Sequence, residues 1–245
     1  MTIQLPEPID RPTILFIHGL GCDATHYQAA FQHSLLREYQ ICVPDLPGYG
    51  GNAAVEKPFT LEEIATEFRR RLKNILRAPL VLVGHSMGGA LAQLILREPL
   101  ERVAGFINVE GNLIGADCTF SRKAASVPYA QFVRERLPAL LRMYRQHPYG
   151  ESVQRANPRV FYQHSADLVR LSDSEELLRQ FLAMDIPRIY VYGSENKHHP
   201  VLPRLQGIPK LEISRSGHFP MLDNPDEFYT AVAFAAGGFF QTMVN

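Results

Sequence analysis

Short apolar, β-branched runs recur along the chain, each bounded by Gly, Pro or Asp, with helical patterns between them. The runs are Thr13–Ile17, Ile41–Val43, Leu80–Val83, Phe106–Val109, Arg188–Tyr192 and Leu211–Ile213. They read as strands of a sheet covered on both faces. Thr60–Arg77 opens on a capping box, Thr60 with Glu63, and its residues Leu61, Ile64, Ala65, Phe68, Leu72, Ile75 and Leu76 keep helical spacing. The basic cluster Arg69, Arg70, Arg71 and Lys73 falls on that helix as a solvated face rather than a docking patch. A last helix begins at Asn224-Pro225-Asp226-Glu227, a cap residue followed by Pro and acids. The alternation predicts an α/β fold, a mostly parallel sheet with helices on both faces. From about 113 to 182 no convincing strand occurs. Roughly 70 residues exceed a plain crossover loop, so a helical cap is expected at 113–182 on a core of 1–112 and 183–245.

A length of 245 residues fits one domain, or one domain with an insertion. Lys plus Arg and Asp plus Glu are 25 each, a balance that speaks against nucleic acid or an anionic membrane as partner. Cys22, Cys42 and Cys118 are too few and too scattered for a disulfide framework and read as inert thiols. No secretory signal or 18-residue apolar run is apparent, so a cytoplasmic protein is expected. Neither G-x-G-x-x-G after a strand nor a P-loop occurs, and no cofactor is expected. His198-His199 resembles a metal pair, but adjacent side chains diverge and no ligand-spaced cluster lies nearby, so no metal is expected either.

The strongest chemical signal is Gly84-His85-Ser86-Met87-Gly88-Gly89, between the run Leu80–Val83 and the helical stretch Ala90–Leu96. A strand, a sharp turn and a helix are what a G-x-S-x-G nucleophile needs: the turn exposes the hydroxyl, and the helix aims its first amides at developing negative charge. A hydroxyl is a weak nucleophile and requires a base with an oriented acid. His18-Gly19-Leu20-Gly21 follows the first strand, and Ser216-Gly217-His218-Phe219-Pro220 follows the last.

With Asp45-Leu46-Pro47-Gly48-Tyr49-Gly50 after the second strand, these landmarks stand in the order found in the α/β-hydrolase fold, and from Thr13 to about Phe240 the chain resembles a serine hydrolase of that fold. The resemblance implies Ser86 as nucleophile, His218 as general base and then acid, and the backbone N–H groups of Leu20 and Met87 as oxyanion hole. His18 is then a loop-holding residue and His85 a packing residue. Two departures stand out. Only 12 residues precede the first strand, so the usual leading hairpin is shortened or absent. The acid usually follows the strand at Arg188–Tyr192, where this chain has Gly193-Ser194-Glu195-Asn196, with Asn196 at the acid position. Glu110, directly after Phe106–Val109, is the preferred acid; Glu195 and Asn196 remain alternatives.

The activity implied is cofactor-independent hydrolysis of a small to medium carboxylic ester, thioester or lactone. A carbon–carbon bond hydrolase acting on a diketone-like acid shares the triad, and a non-catalytic ligand-binding member is a third reading. A dehalogenase would want Asp at position 86 and a Trp, and the chain has no Trp. Phe120, Tyr129, Phe132, Tyr144, Phe161 and Tyr162 fall in the cap, where most are expected to pack it on the core and a few to touch substrate. The cap arginines Arg134, Arg136, Arg142 and Arg145 read as solvated positions.

Overall fold

Each apolar segment finds its neighbour in a single six-stranded sheet. In this computed structural model, which describes residues 3–244, the strands are β1 (Thr13–Ile17), β2 (Gln40–Cys42), β3 (Leu80–His85), β4 (Val103–Val109), β5 (Arg188–Gly193) and β6 (Lys210–Ile213). Their order is β2-β1-β3-β4-β5-β6 and every pair is parallel. Helix α1 (Leu61–Ile75) precedes β3, and α2 (Met87–Ile95) follows it. Between β4 and β5 lie α3 (Thr119–Ala125), α4 (Tyr129–Gln131), α5 (Leu137–Met143), α6 (Pro148–Arg155), α7 (Pro158–Asp173) and α8 (Glu176–Ala183), with a π turn, Phe132–Arg136, joining α4 to α5. The chain closes with α9 (Pro220–Asp223) and α10 (Pro225–Val244).

Parallel strands need crossovers, and the crossovers bury both faces of the sheet. Every residue of β1, β3 and β4 is buried. Successive residues of a strand face opposite sides, and β4 shows both: Gly105 abuts the Phe239 ring of α10, whereas Phe106 packs edge-on against Phe181 of α8, ring centroids 5.8 Å apart. On α1 the capping box forms, Glu63 N donating to Thr60 Oγ1 and Thr60 N to Glu63 Oε2. Its buried stripe is Leu61, Ile64, Ala65, Phe68, Leu72 and Ile75. The basic cluster is spent on local ion pairs, Arg70 and Arg71 with Glu67, Arg69 and Lys73 with Glu98. Such exposed pairs are worth about 1 kcal/mol or less each.

Strand ends differ from the apolar runs where hydrogen bonding, not apolarity, decides. Gln40 pairs with Thr13, and Gly84 and His85 extend β3 because they keep register with Asn108 and Val109. Among the described residues no strand precedes β1; Ile9 makes one isolated parallel bridge to Leu76. The helical stretch between β4 and β5 is tied to the loop after β1. Tyr149 Oη of α6 donates to Leu20 O at 3.0 Å, and Arg155 of α6 pairs with buried Asp23 at 2.7 Å. All three thiols are buried, and burial pushes that of Cys42 up to about 12. Among the described residues no helix is long and apolar enough to cross a membrane.

Candidate active site

The candidate residues follow the carboxyl ends of neighbouring strands, where α/β sheets gather their sites. Register brings them together. His85 is level with Val109, and Val109 with Val191. Beyond the strands the ladder runs one step further, Ser86 N donating to Val109 O (3.0 Å) and Glu110 N to Val191 O (2.9 Å).

Ser86 has φ 52° and ψ −118°. For a residue with a Cβ, such a backbone costs on the order of 1–3 kcal/mol and persists only when its surroundings enforce it. The glycines beside it do so. A Cβ on Gly88 would lie 2.0 Å from Ile17 O, and one on Gly84 2.5 Å from Gly88 O. β3 and α2 therefore cross with no side chain between them, and the turn lifts Ser86 into a crevice of about 30 Å³ that Leu20, His85, His218 and Phe219 also line. Among the described residues the N–H groups of Leu20 and Met87 make no backbone hydrogen bond. His18 braces the Leu20 loop: its Nδ1–H donates to Gly19 O (2.9 Å), and its Nε2 accepts from Leu46 N (3.0 Å).

The structure brings Glu110 to His218. His218 Nδ1–H donates to Glu110 Oε2 at 2.7 Å. The other carboxylate oxygen accepts from Gly193 N at 2.8 Å, and Asn196 Nδ2 spans both oxygens at 2.8 and 2.9 Å. Burial alone would push the Glu110 carboxyl up, but the hydrogen bond and charge of His218, with Asn196 and the Gly193 amide, hold it below the usual carboxylate range. Asn196, one of the two alternatives for the acid, thus donates to the Glu110 carboxylate. Glu195 is exposed, its amide tied to Ser216 O. His85 does more than pack: its Nε2–H donates to the His218 carbonyl at 2.7 Å. Burial lowers its pKa well below the usual value, so it stays a neutral donor.

With one imidazole N–H fixed on a carboxylate, the other nitrogen is an acceptor able to take a proton from a hydroxyl. A second cavity of about 200 Å³ adjoins the crevice, lined by Glu110, Asp117, Tyr190, Asn196, His199 and His218. Asp117 is a residue that sequence reasoning missed. Its Oδ2 accepts from the amides of Leu113 (2.6 Å) and Ile114 (2.8 Å), and its Oδ1 lies 3.4 Å from His199 Nε2. Burial pushes this carboxyl up. No motif marks it, because the loop after β4 alone brings it there. His198 is exposed, and among the described residues no group of three or more His, Cys, Asp or Glu is placed to hold a metal.

Comparison with known proteins bears on the family and the fold. The chain is 35% identical over 100 residues to the magnesium-chelatase 30 kDa subunit of Rhodobacter capsulatus, covering 40% of this chain and 35% of that protein. It is 29% identical over 141 residues to 2-succinyl-6-hydroxy-2,4-cyclohexadiene-1-carboxylate synthase of Escherichia coli O9:H4, covering 56% and 54%. The matches thus span between about a third and just over half of these relatives' length. Among solved structures, a thermophilic esterase from Thermogutta terrifontis superposes with a TM-score of 0.72 at 20% identity, covering 96% of this chain and 92% of that one. MenH from S. aureus superposes with a TM-score of 0.74 at 16% identity, covering 98% and 96%. The profile of the alpha/beta hydrolase family matches residues 14–231, and with the parallel sheet and the ordered landmarks at its carboxyl edge, the chain belongs to that family.

Proposed function

We propose that the chain is a cofactor-independent serine hydrolase that cleaves a small to medium carboxylic ester, or a thioester or lactone, through an acyl-enzyme on Ser86. The observation that carries this reading is the 2.7 Å hydrogen bond from His218 Nδ1 to Glu110, beside a serine held at positive φ. His218 Nε2 takes the Ser86 proton as Oγ attacks the ester carbonyl. Negative charge then develops on the carbonyl oxygen, where the amides of Leu20 and Met87 meet it; such a donor is worth roughly 3–4 kcal/mol because it acts on charge present only in the intermediate. Glu110 stabilises the imidazolium formed in that step. Collapse breaks the bond to the leaving oxygen, which receives the proton from His218, and water repeats the sequence to release the acid. Helices of 113–182 act as a cap on the core of 1–112 and 183–245. The likeness to an esterase supports this reading. The likeness to 2-succinyl-6-hydroxy-2,4-cyclohexadiene-1-carboxylate synthase shows that chemistries other than ester hydrolysis occur among its relatives, and the second reading is that the same residues cleave a carbon–carbon bond in a diketone-like acid.

A panel of short-, medium- and long-chain aryl esters, with one vinylogous diketone acid alongside, separates the readings. Ester turnover without diketone cleavage is expected. The reverse selects the second reading, and tight binding without turnover selects a non-catalytic member of the family.

A further inference from the structure

Three cavities meet at one side chain. Phe120, in the first turn of α3, lines the Ser86 crevice, the larger cavity behind His218, and a third cavity of about 250 Å³, open on one side and lined by Ala124, Phe132, Leu140 and Phe161 with Ala139 and Met143 at its exposed rim. The third is the apolar one. Its only charged lining residues, Lys123 and Arg136, are exposed and wall it with their stems while their heads reach water. It also lies against the oxyanion loop, since a Cβ on Gly21 would come within 2.9 Å of the Phe161 ring.

Geometry assigns the two larger cavities to opposite ends of an ester. The leaving oxygen must reach His218 to be protonated, and His218 and Glu110 line the second cavity but not the third. The second is mixed, setting Asp117, Thr119, Asn196 and His199 among Tyr144, Tyr190, Tyr192 and Leu202, whereas the third has no uncharged polar group in its wall and suits a methylene chain better. Building on the hydrolase reading above, we infer that the third cavity receives the acyl group, that the acyl group is an unbranched aliphatic chain of medium length, and that Phe120 is the partition the chain must displace. The third cavity's volume of about 250 Å³ exceeds that of a single water-sized group several times over, room for a chain of several methylenes. Phe120 is suited to move. It is half-buried, and its ring partners are Tyr144, edge-on at 5.6 Å, and the more distant Tyr149, tilted at 6.4 Å. A rotamer change opens the wall without shifting the backbone.

The test is the ratio of kcat/KM for p-nitrophenyl octanoate to that for p-nitrophenyl acetate. Each methylene seated in an apolar pocket is worth about tenfold or more in such a ratio, so the wild type is expected to favour octanoate. Filling the cavity with Ala124→Leu, or from its exposed rim with Ala139→Phe, is expected to cut the ratio about tenfold or more. Phe120→Ala is expected to raise turnover of chains longer than octanoyl relative to octanoyl itself. A wild-type rate that falls steadily from acetate, or a ratio unmoved in Ala124→Leu and Ala139→Phe, overturns the inference while leaving the hydrolase reading intact. Failure to turn over any ester, acetate included, overturns both.

Discussion

Replacing Glu110 by Gln removes one charge and keeps the shape, and the hydrogen bonds around the carboxylate fix how the new amide must sit. Gly193 N can only donate, and it lies 2.8 Å from Oε1. The oxygen of the substituted amide must therefore take that place, which sets its nitrogen where Oε2 now sits, 2.7 Å from His218 Nδ1. Two N–H donors cannot face each other, so the imidazole must carry its proton on Nε2 instead. In that tautomer Nε2 cannot accept the Ser86 proton, and the imidazolium also loses its counter-charge. The comparable change in a serine protease costs about 10⁴ in kcat; for Glu110→Gln a loss of about 10³–10⁴ is expected, equivalent to about 4–5 kcal/mol of barrier. Steady-state kinetics on an aryl ester, with folding checked by circular dichroism, measure it, and Glu195→Gln serves as the exposed control. Stability supplies an independent readout. The native carboxyl is held below its unfolded value of about 4.3, so its stabilising contribution is full above that pH and fades as pH falls through the native value. The Tm gap between wild type and Glu110→Gln is therefore expected to be widest at neutral pH and to shrink below about pH 4. A Glu110→Gln enzyme with kcat within tenfold of wild type, alongside an inactive Glu195→Gln, would refute the reasoning.

Three further perturbations test the surrounding framework. Asn196→Asp sets a second carboxylate within 3 Å of Glu110, where like charges cannot both ionise freely, so kcat should fall further than in Asn196→Ala, which removes the two hydrogen bonds alone. Gly88→Ala should abolish soluble expression because its Cβ meets Ile17 O at 2.0 Å, whereas Gly238→Ala in α10 has open space and should raise stability by about 1 kcal/mol in chemical denaturation. His164, whose Nε2–H donates to Phe59 O and whose Nδ1 accepts from Tyr49 Oη, is lowered by burial to about 4. The unfolded chain takes that proton first, near pH 6.5, so stability declines as pH falls from about 6.5 to 4, and His164→Gln should flatten that decline in pH-resolved thermal melts.

The strands are legible in the sequence because a sheet covered on both faces forces nearly unbroken apolar runs, and Ser86 is legible because its turn demands glycines at fixed offsets. Glu110 is legible only as a preference. What settles its position is the register of β4 against β5, which brings residue 110 to Gly193 and Asn196, more than 80 positions later. The role of Asn196 is hidden for the same reason: an amide at a position usually acidic reads as a defect until its partner is in view. Asp117 carries no signal of its place, and Phe120 reads only as one of six cap aromatics, since both are placed by the path of the chain after β4. His85 reads as a packing residue because its hydrogen bond to the His218 carbonyl spans 133 positions. Residues fixed by local turn chemistry can be read from sequence. Those fixed by pairing across the sheet edge can be narrowed to candidates but not placed.

Covalent capture at Ser86 tests the central claim most directly. A fluorophosphonate probe added to the folded protein should raise its intact mass by one adduct, and peptide mapping should place that adduct on Ser86. Glu110→Gln should label far more slowly, and Ser86→Ala should not label at all. An adduct that persists unchanged in folded Ser86→Ala, or a wild-type protein that remains unmodified, would contradict the account.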